Sequence, residues 1–164
     1  MKKISLFLAL LLLAAGTGSW GQGGRFSAND IRSLEKGGLI TRERNDTWRT
    51  REGLIISGYD NDRKTRLEHI MRHTGDVRGK NRHGVFTVSY ERVILLMDIT
   101  WKRIRSGEIK TSGSGKRRVY IYDTGGNIGY LGGRDGAKKG FPALRRVRLV
   151  LEGNTPRVVT FYPI

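Results

Sequence analysis

Arg146-Val147-Arg148-Leu149-Val150-Leu151-Glu152-Gly153-Asn154-Thr155-Pro156-Arg157-Val158-Val159-Thr160-Phe161-Tyr162, close to the C-terminus, is the stretch that decides the fold class. Apolar and polar residues run at period two on either side of Gly153-Asn154-Thr155-Pro156, so the stretch predicts two strands joined by a turn. Working backward, Val119–Asp123 and Ile128–Leu131 read as two further strands, and Gly125-Gly126-Asn127 suits a tight hairpin. The period then changes. From Ser89 to Arg105, Val93, Leu96, Met97, Thr100, Trp101 and Ile104 recur at three and four, which predicts a core helix. Further back, Ser27 as N-cap, Asp30 at the third helical position and Gly37-Gly38 at the end predict a short helix. Asp60 or Asn61 is placed to cap another helix that carries His69 and His73 and ends near Thr74-Gly75, and Gly84 to Val88 reads as a strand. Thr41 to Thr50 shows no dominant period. Helices first and an antiparallel sheet after make the class α+β.

The N-terminus, Met1-Lys2-Lys3 followed by an apolar run from Ile4 to Ala15 and small residues, has the layout of a cleavable secretory signal. The run is too short for a comfortable membrane span. The expected organisation is a signal at 1–20, a helical and irregular extension at 21–53, and one domain at 54–164. Cysteine is absent, so an exported chain of this kind holds together by packing alone, which fits a bacterial protein, extracellular or periplasmic. The formal net charge is +16, from 31 Lys and Arg against 15 Asp and Glu. So basic a surface points to a polyanionic partner, and without a bulky basic amphipathic helix nucleic acid is favoured over membrane.

All three histidines, His69, His73 and His83, fall within residues 69–83, among Arg72, Arg78, Lys80 and Arg82. His69 and His73 are four apart, one turn of helix on a shared face. Three readings compete. A metal site would use the H-x-x-x-H spacing, but the Glu of the zincin pattern is missing and the cations repel a divalent ion. A structural reading puts one ring in the core, one at a helix end and one in solvent. The third is metal-independent RNA cleavage: one group takes the 2′-hydroxyl proton, another protonates the departing 5′-oxygen, and a Lys or Arg stabilises the charge on phosphorus. It needs no cofactor.

Leu67-Glu68-His69-Ile70-Met71-Arg72-His73, Lys80-Asn81-Arg82-His83-Gly84-Val85-Phe86, the helix through Trp101, and the ending Arg157-Val158-Val159-Thr160-Phe161-Tyr162-Pro163-Ile164 resemble nuclease domains of bacterial polymorphic and contact-dependent toxins. Those domains belong to the barnase–EndoU–colicin–RelE group. The resemblance covers roughly 54–164 and implies helices packed on a curved antiparallel sheet, with endoribonuclease activity, often on tRNA, and no metal. It implicates His69 and His73 as acid and base, His83 as a further candidate, Arg72 and Lys80 as phosphate ligands, and Thr160 and Tyr162 as donors to the scissile phosphate. Such toxins usually end a very large carrier chain. The signal layout instead suits a free-standing, monomeric secreted ribonuclease without stable membrane association, with an acidic immunity or inhibitor protein as a second partner beside RNA. The rival readings are a non-catalytic basic module for nucleic acid or cell-envelope polyanions, and a metal-dependent nuclease.

Arg78 and Arg82 are placed to bind substrate. Tyr120, Tyr122, Tyr130 and Phe161 are candidates for base stacking, with core packing as the alternative that strand alternation favours for about half of them. Arg145, Arg146 and Arg148 belong either to an electropositive face or to a protected sheet edge. The glycines from Gly125 to Gly133 read as turn residues.

Overall fold

Ser27 begins the first helix as its spacing predicts: its hydroxyl caps Asp30, and the Asp30 side chain returns to the Ser27 backbone, opening α1 (Ala28–Lys36). The structure is a computed structural model that describes residues 25–112 and 115–164; the signal expected at 1–20 and the glycine-rich joint after it lie outside the described residues. The order continues β1 (Ile40–Arg44), β2 (Thr47–Thr50), β3 (Ile55–Ser57), α2 (Arg66–Met71), β4 (His83–Phe86), α3 (Tyr90–Arg105), β5 (Arg117–Asp123), β6 (Gly129–Gly132), α4 (Gly133–Lys138), β7 (Ala143–Leu144), β8 (Arg146–Glu152) and β9 (Val158–Pro163). Among the described residues the class is mixed α and β, four helices with three small antiparallel sheets, β1-β2-β3, β4-β6-β7 and β5-β8-β9. No described helix is long and apolar enough to cross a membrane.

The single late sheet expected from the sequence is therefore corrected. Thr41 to Thr50, which shows no dominant period, is a hairpin, and β3 pairs with its second strand through Trp48 opposite Ile56. The reason lies in tertiary burial: Ile40 and Trp48 reach the core while Thr41, Arg42, Glu43 and Arg44 stay in solvent, so no clean alternation marks β1. Leu34 and Trp48 share one core with Leu54, Leu67, Ile94, Met97, Leu149 and Phe161, so residues before and after position 53 pack together. Full burial of such side chains contributes roughly 1.5–3 kcal/mol each. Thr50 donates to the buried carboxylate of Asp98, tying β2 to α3.

The second helix differs from expectation at both ends. Thr65, paired with Glu68 in a capping box, starts it, because the Asp60 carboxylate is already engaged: its Oδ1 accepts the amides of Asp62 and Lys64, both at 2.9 Å. After Met71 the chain tightens into a 3-10 turn over Arg72–Thr74, so His73 leaves the α-helical path. Two glycines expected as turn residues have other places: Gly132 ends β6 and Gly133 begins α4, with φ +72°. A Cβ at Gly136 would collide with the Leu131 carbonyl, so only glycine lets α4 fold back onto β6.

In β9 the pairing with β8 shifts at Val159: Thr160 faces Val150 and Val158 faces Leu151. The bulge returns Val158 to the core side together with Phe161, leaving Thr160 and Tyr162 on the face that meets α2.

Candidate functional site

The site forms where α2 and its 3-10 extension lie against β9, with the start of β4 behind them. His69 Nδ1–H donates to Asp60 Oδ2 at 2.9 Å, and its Nε2 lies 3.3 Å from the Thr160 hydroxyl. The His69 side chain is 27% exposed, whereas that of Asp60 is 8% exposed. Burial pushes the Asp60 carboxyl up, but the Lys64 amide, His69 and the Asp62 amide outweigh it and hold it below the ordinary carboxylate range. A carboxylate that stays ionised fixes the His69 tautomer and ring orientation.

His73 sits between two rings. It stacks on Tyr162 at 5.2 Å and on His83 at 4.6 Å, with His69 edge-on at 6.1 Å. Its Nδ1–H donates to the Gly84 carbonyl at 2.9 Å, which makes Nε2 the acceptor of the neutral ring. Burial pushes His73 down to about 3, against the Gly84 hydrogen bond and with help from His83, His69 and Lys80. It is neutral at physiological pH. A Cβ at Gly84 would strike the Pro163 carbonyl, so this glycine lets β4 approach β9 and puts its own carbonyl beneath His73.

His83 is 4% exposed, its Nε2 donates to the Gly75 carbonyl at 3.1 Å, and burial followed by Lys80 pushes it below the ordinary imidazole range. It packs His73 from behind and does not face solvent. Tyr162 accepts a hydrogen bond from Arg148 at 3.0 Å, with the guanidinium 5.7 Å from the ring centre. Its own hydroxyl proton remains available for donation.

The expected phosphate ligands divide into two groups. Arg72 is held by Asp60 at 3.1 Å and Asp62 at 2.8 Å. Lys80, Arg78 and Arg82 are exposed, in the loop leading to β4, and enter no ion pair among the described residues. The N-terminus of α4 anchors that loop: Arg134 and Asp135 amides donate to the Lys80 and Asn81 carbonyls at 2.9 Å, and the Gly133 amide donates to Asp76 at 2.8 Å.

The structure brings His69, His73, His83, Thr160 and Tyr162 together, with Lys80 beside the buried rings. Tyr130 lies on β6 opposite Val85, edge-on to Phe141 at 5.7 Å and near Asp76 and Arg78. Phe161 is fully buried, so base stacking is excluded for it, and Tyr120 and Tyr122 pack against the core. Among the described residues no three His, Asp or Glu side chains converge to hold a metal ion.

Sequence reasoning missed two residues. Asp60 was read as a helix cap, although its place nine residues before His69 also suits an imidazole partner across a turn. Arg148 was read as surface charge, and its role depends on the β8–β9 register that sets it opposite Tyr162. No family model, curated protein or solved structure matches this chain.

Proposed function

We propose that the protein is a secreted, metal-independent endoribonuclease whose central group is His69. The observation that carries this reading is the chain Asp60–His69–Thr160, which presents a carboxylate-backed, partly exposed imidazole beside the stacked His73 and Tyr162 rings. His69 Nε2 takes the proton of the 2′-hydroxyl; the 2′-oxygen attacks phosphorus; the bond to the 5′-oxygen breaks as that oxygen takes a proton from the His69 imidazolium, leaving a 2′,3′-cyclic phosphate and a 5′-hydroxyl. Asp60 stabilises the resulting imidazolium. Thr160 and Tyr162 donate to the phosphate oxygens, and Lys80 with Arg78 and Arg82 supplies the positive field. His73, held neutral, is an acceptor wedge that positions Tyr162, and His83 supports it.

The finer fold reading goes with this function: α2 laid on β9 of the β5-β8-β9 sheet is the part that supports a barnase–EndoU–colicin–RelE arrangement. In this reading the protein is a free-standing bacterial toxin, monomeric, countered in its producer by an acidic inhibitor.

The test is purified protein with tRNA or total RNA in excess EDTA. Fragments ending in cyclic phosphate are expected, with a His69→Ala variant slower by about 10² to 10⁴-fold. Cleavage abolished by EDTA would establish the metal-dependent alternative instead. Salt-sensitive binding with no fragments would leave the binding module.

A further inference from the structure

A second feature lies beside the histidines. Between the tip of the β1–β2 hairpin and the end of the β5-β8-β9 sheet the surface forms a cleft of about 630 Å³ lined by Arg44, Arg66, Lys116, Arg117, Arg157 and Tyr59. Two carboxylates, Asp46 and Glu152, also line it, so cations exceed anions by three. Outside the cleft Arg42, Arg49, Arg72, Arg103, Arg105 and Arg145 sit in ion pairs, while others such as Arg78 and Arg82 do not among the described residues. None of the five cleft cations sits in an ion pair, among the described residues. Unpaired cations held close together raise one another's electrostatic energy, and an anion relieves it.

Three chain segments carry both cleft residues and site residues. Tyr59 lines the cleft and Asp60 holds His69; Arg66 lines it and His69 follows one turn later on α2; Val159 lines it and Thr160 touches His69. Its geometry is prepared. Arg66 donates to the Tyr59 carbonyl at 2.9 Å, Arg157 donates to Ser57 at 3.1 Å, and the Tyr59 hydroxyl donates to Asp46. Tyr59 is also 55% exposed, one of two large apolar side chains so exposed among the described residues. A fixed, exposed aromatic ring among unpaired cations is the combination that holds a single nucleic-acid strand, the ring stacking a base and the cations tracking phosphates.

We infer that this cleft binds the single-stranded RNA flanking the bond cleaved at His69, taking phosphates on Arg44, Lys116 and Arg157 and a base on Tyr59. The inference rests on the ribonuclease reading for its substrate and extends it from one phosphate to a strand of several nucleotides. The enzyme therefore prefers long single strands to dinucleotides.

The experiment uses the full chain with Arg44, Lys116 and Arg157 all changed to Ala, three exposed positions outside the histidine cluster. For a 12-nucleotide single-stranded RNA, KM is expected to rise about tenfold or more, while kcat/KM on a dinucleoside monophosphate stays unchanged. Binding of a 2′-O-methyl strand of the same length, read by fluorescence anisotropy, is expected to lose about two units of log–log salt slope. Tyr59→Ala is expected to weaken the same binding. An unchanged KM together with an unchanged salt slope overturns the cleft proposal, even if the protein cleaves RNA. If neither RNA is cleaved but the triple variant loses strand binding while keeping its melting temperature, the cleft stands and the ribonuclease reading falls.

Discussion

The carboxylate of Asp60 and the imidazole of His69, nine residues apart, meet at 2.9 Å because a turn wrapped around the same carboxylate brings the chain back to α2. One oxygen of Asp60 organises the turn and the other orients the histidine. Structure and chemistry are thus joined in a single side chain.

An Asp60→Asn variant keeps an acceptor for the turn amides and removes the charge behind His69. Its kcat on RNA is expected to fall by about 10²-fold with KM little changed, measured by steady-state cleavage in EDTA. A kcat equal to that of the unmodified protein would show that Asp60 only shapes the loop.

His73 makes stability depend on pH in a defined direction. Its folded value near 3 lies below the unfolded value of about 6.5, so the folded state binds fewer protons and its contribution is complete above about pH 6.5. As pH falls toward 3 that contribution is lost, on the order of 5 kcal/mol across the whole window. His83, pushed down by burial and Lys80, acts in the same direction. Urea midpoints are expected to fall between pH 7 and pH 4, and to fall less in His73→Phe, which keeps a flat ring in the stack. Equal midpoints at both pH values in the unmodified protein would contradict the burial of a neutral ring.

Gly84→Ala adds a methyl group where the Pro163 carbonyl already stands. Separating β4 from β9 is expected to cost about 1–3 kcal/mol and to shift the carbonyl that holds His73. Denaturation curves check the first effect and the His73 imidazole NMR signals the second. A variant with native stability and unmoved signals would mean that the strands can part freely.

Tyr162→Phe leaves the ring against His73 and removes both the acceptor for Arg148 and the proposed donor to phosphate. Stability is expected to fall by about 1 kcal/mol, and cleavage to slow by tenfold or more. Undiminished cleavage would remove Tyr162 from the phosphate contacts and keep it as packing alone.

Local patterns show which parts of this fold were legible beforehand. The α3 helix and strands β5, β8 and β9 were visible because each presents a face to one core, and burial writes its period directly into the residues. The β1–β2 hairpin was not, since four consecutive residues of β1 are exposed without alternation and its core contacts come from distant elements. α4 escaped because two glycines in a six-residue helix carry no helical signal; a close approach to β6 demands Gly136, and a positive φ against the Lys80 and Asn81 carbonyls demands Gly133.

For the site, the sequence by itself determined the chemical inventory: three histidines in one window, cations around them, and a terminal strand with Thr160 and Tyr162 on one face. Only the tertiary structure decided how each histidine is placed. All three imidazoles are chemically alike, and their difference comes from environment: a carboxylate behind His69, a sandwich around His73, and a solvent-free pocket for His83. Proton affinity follows desolvation and neighbouring charge, and those are properties of folded space.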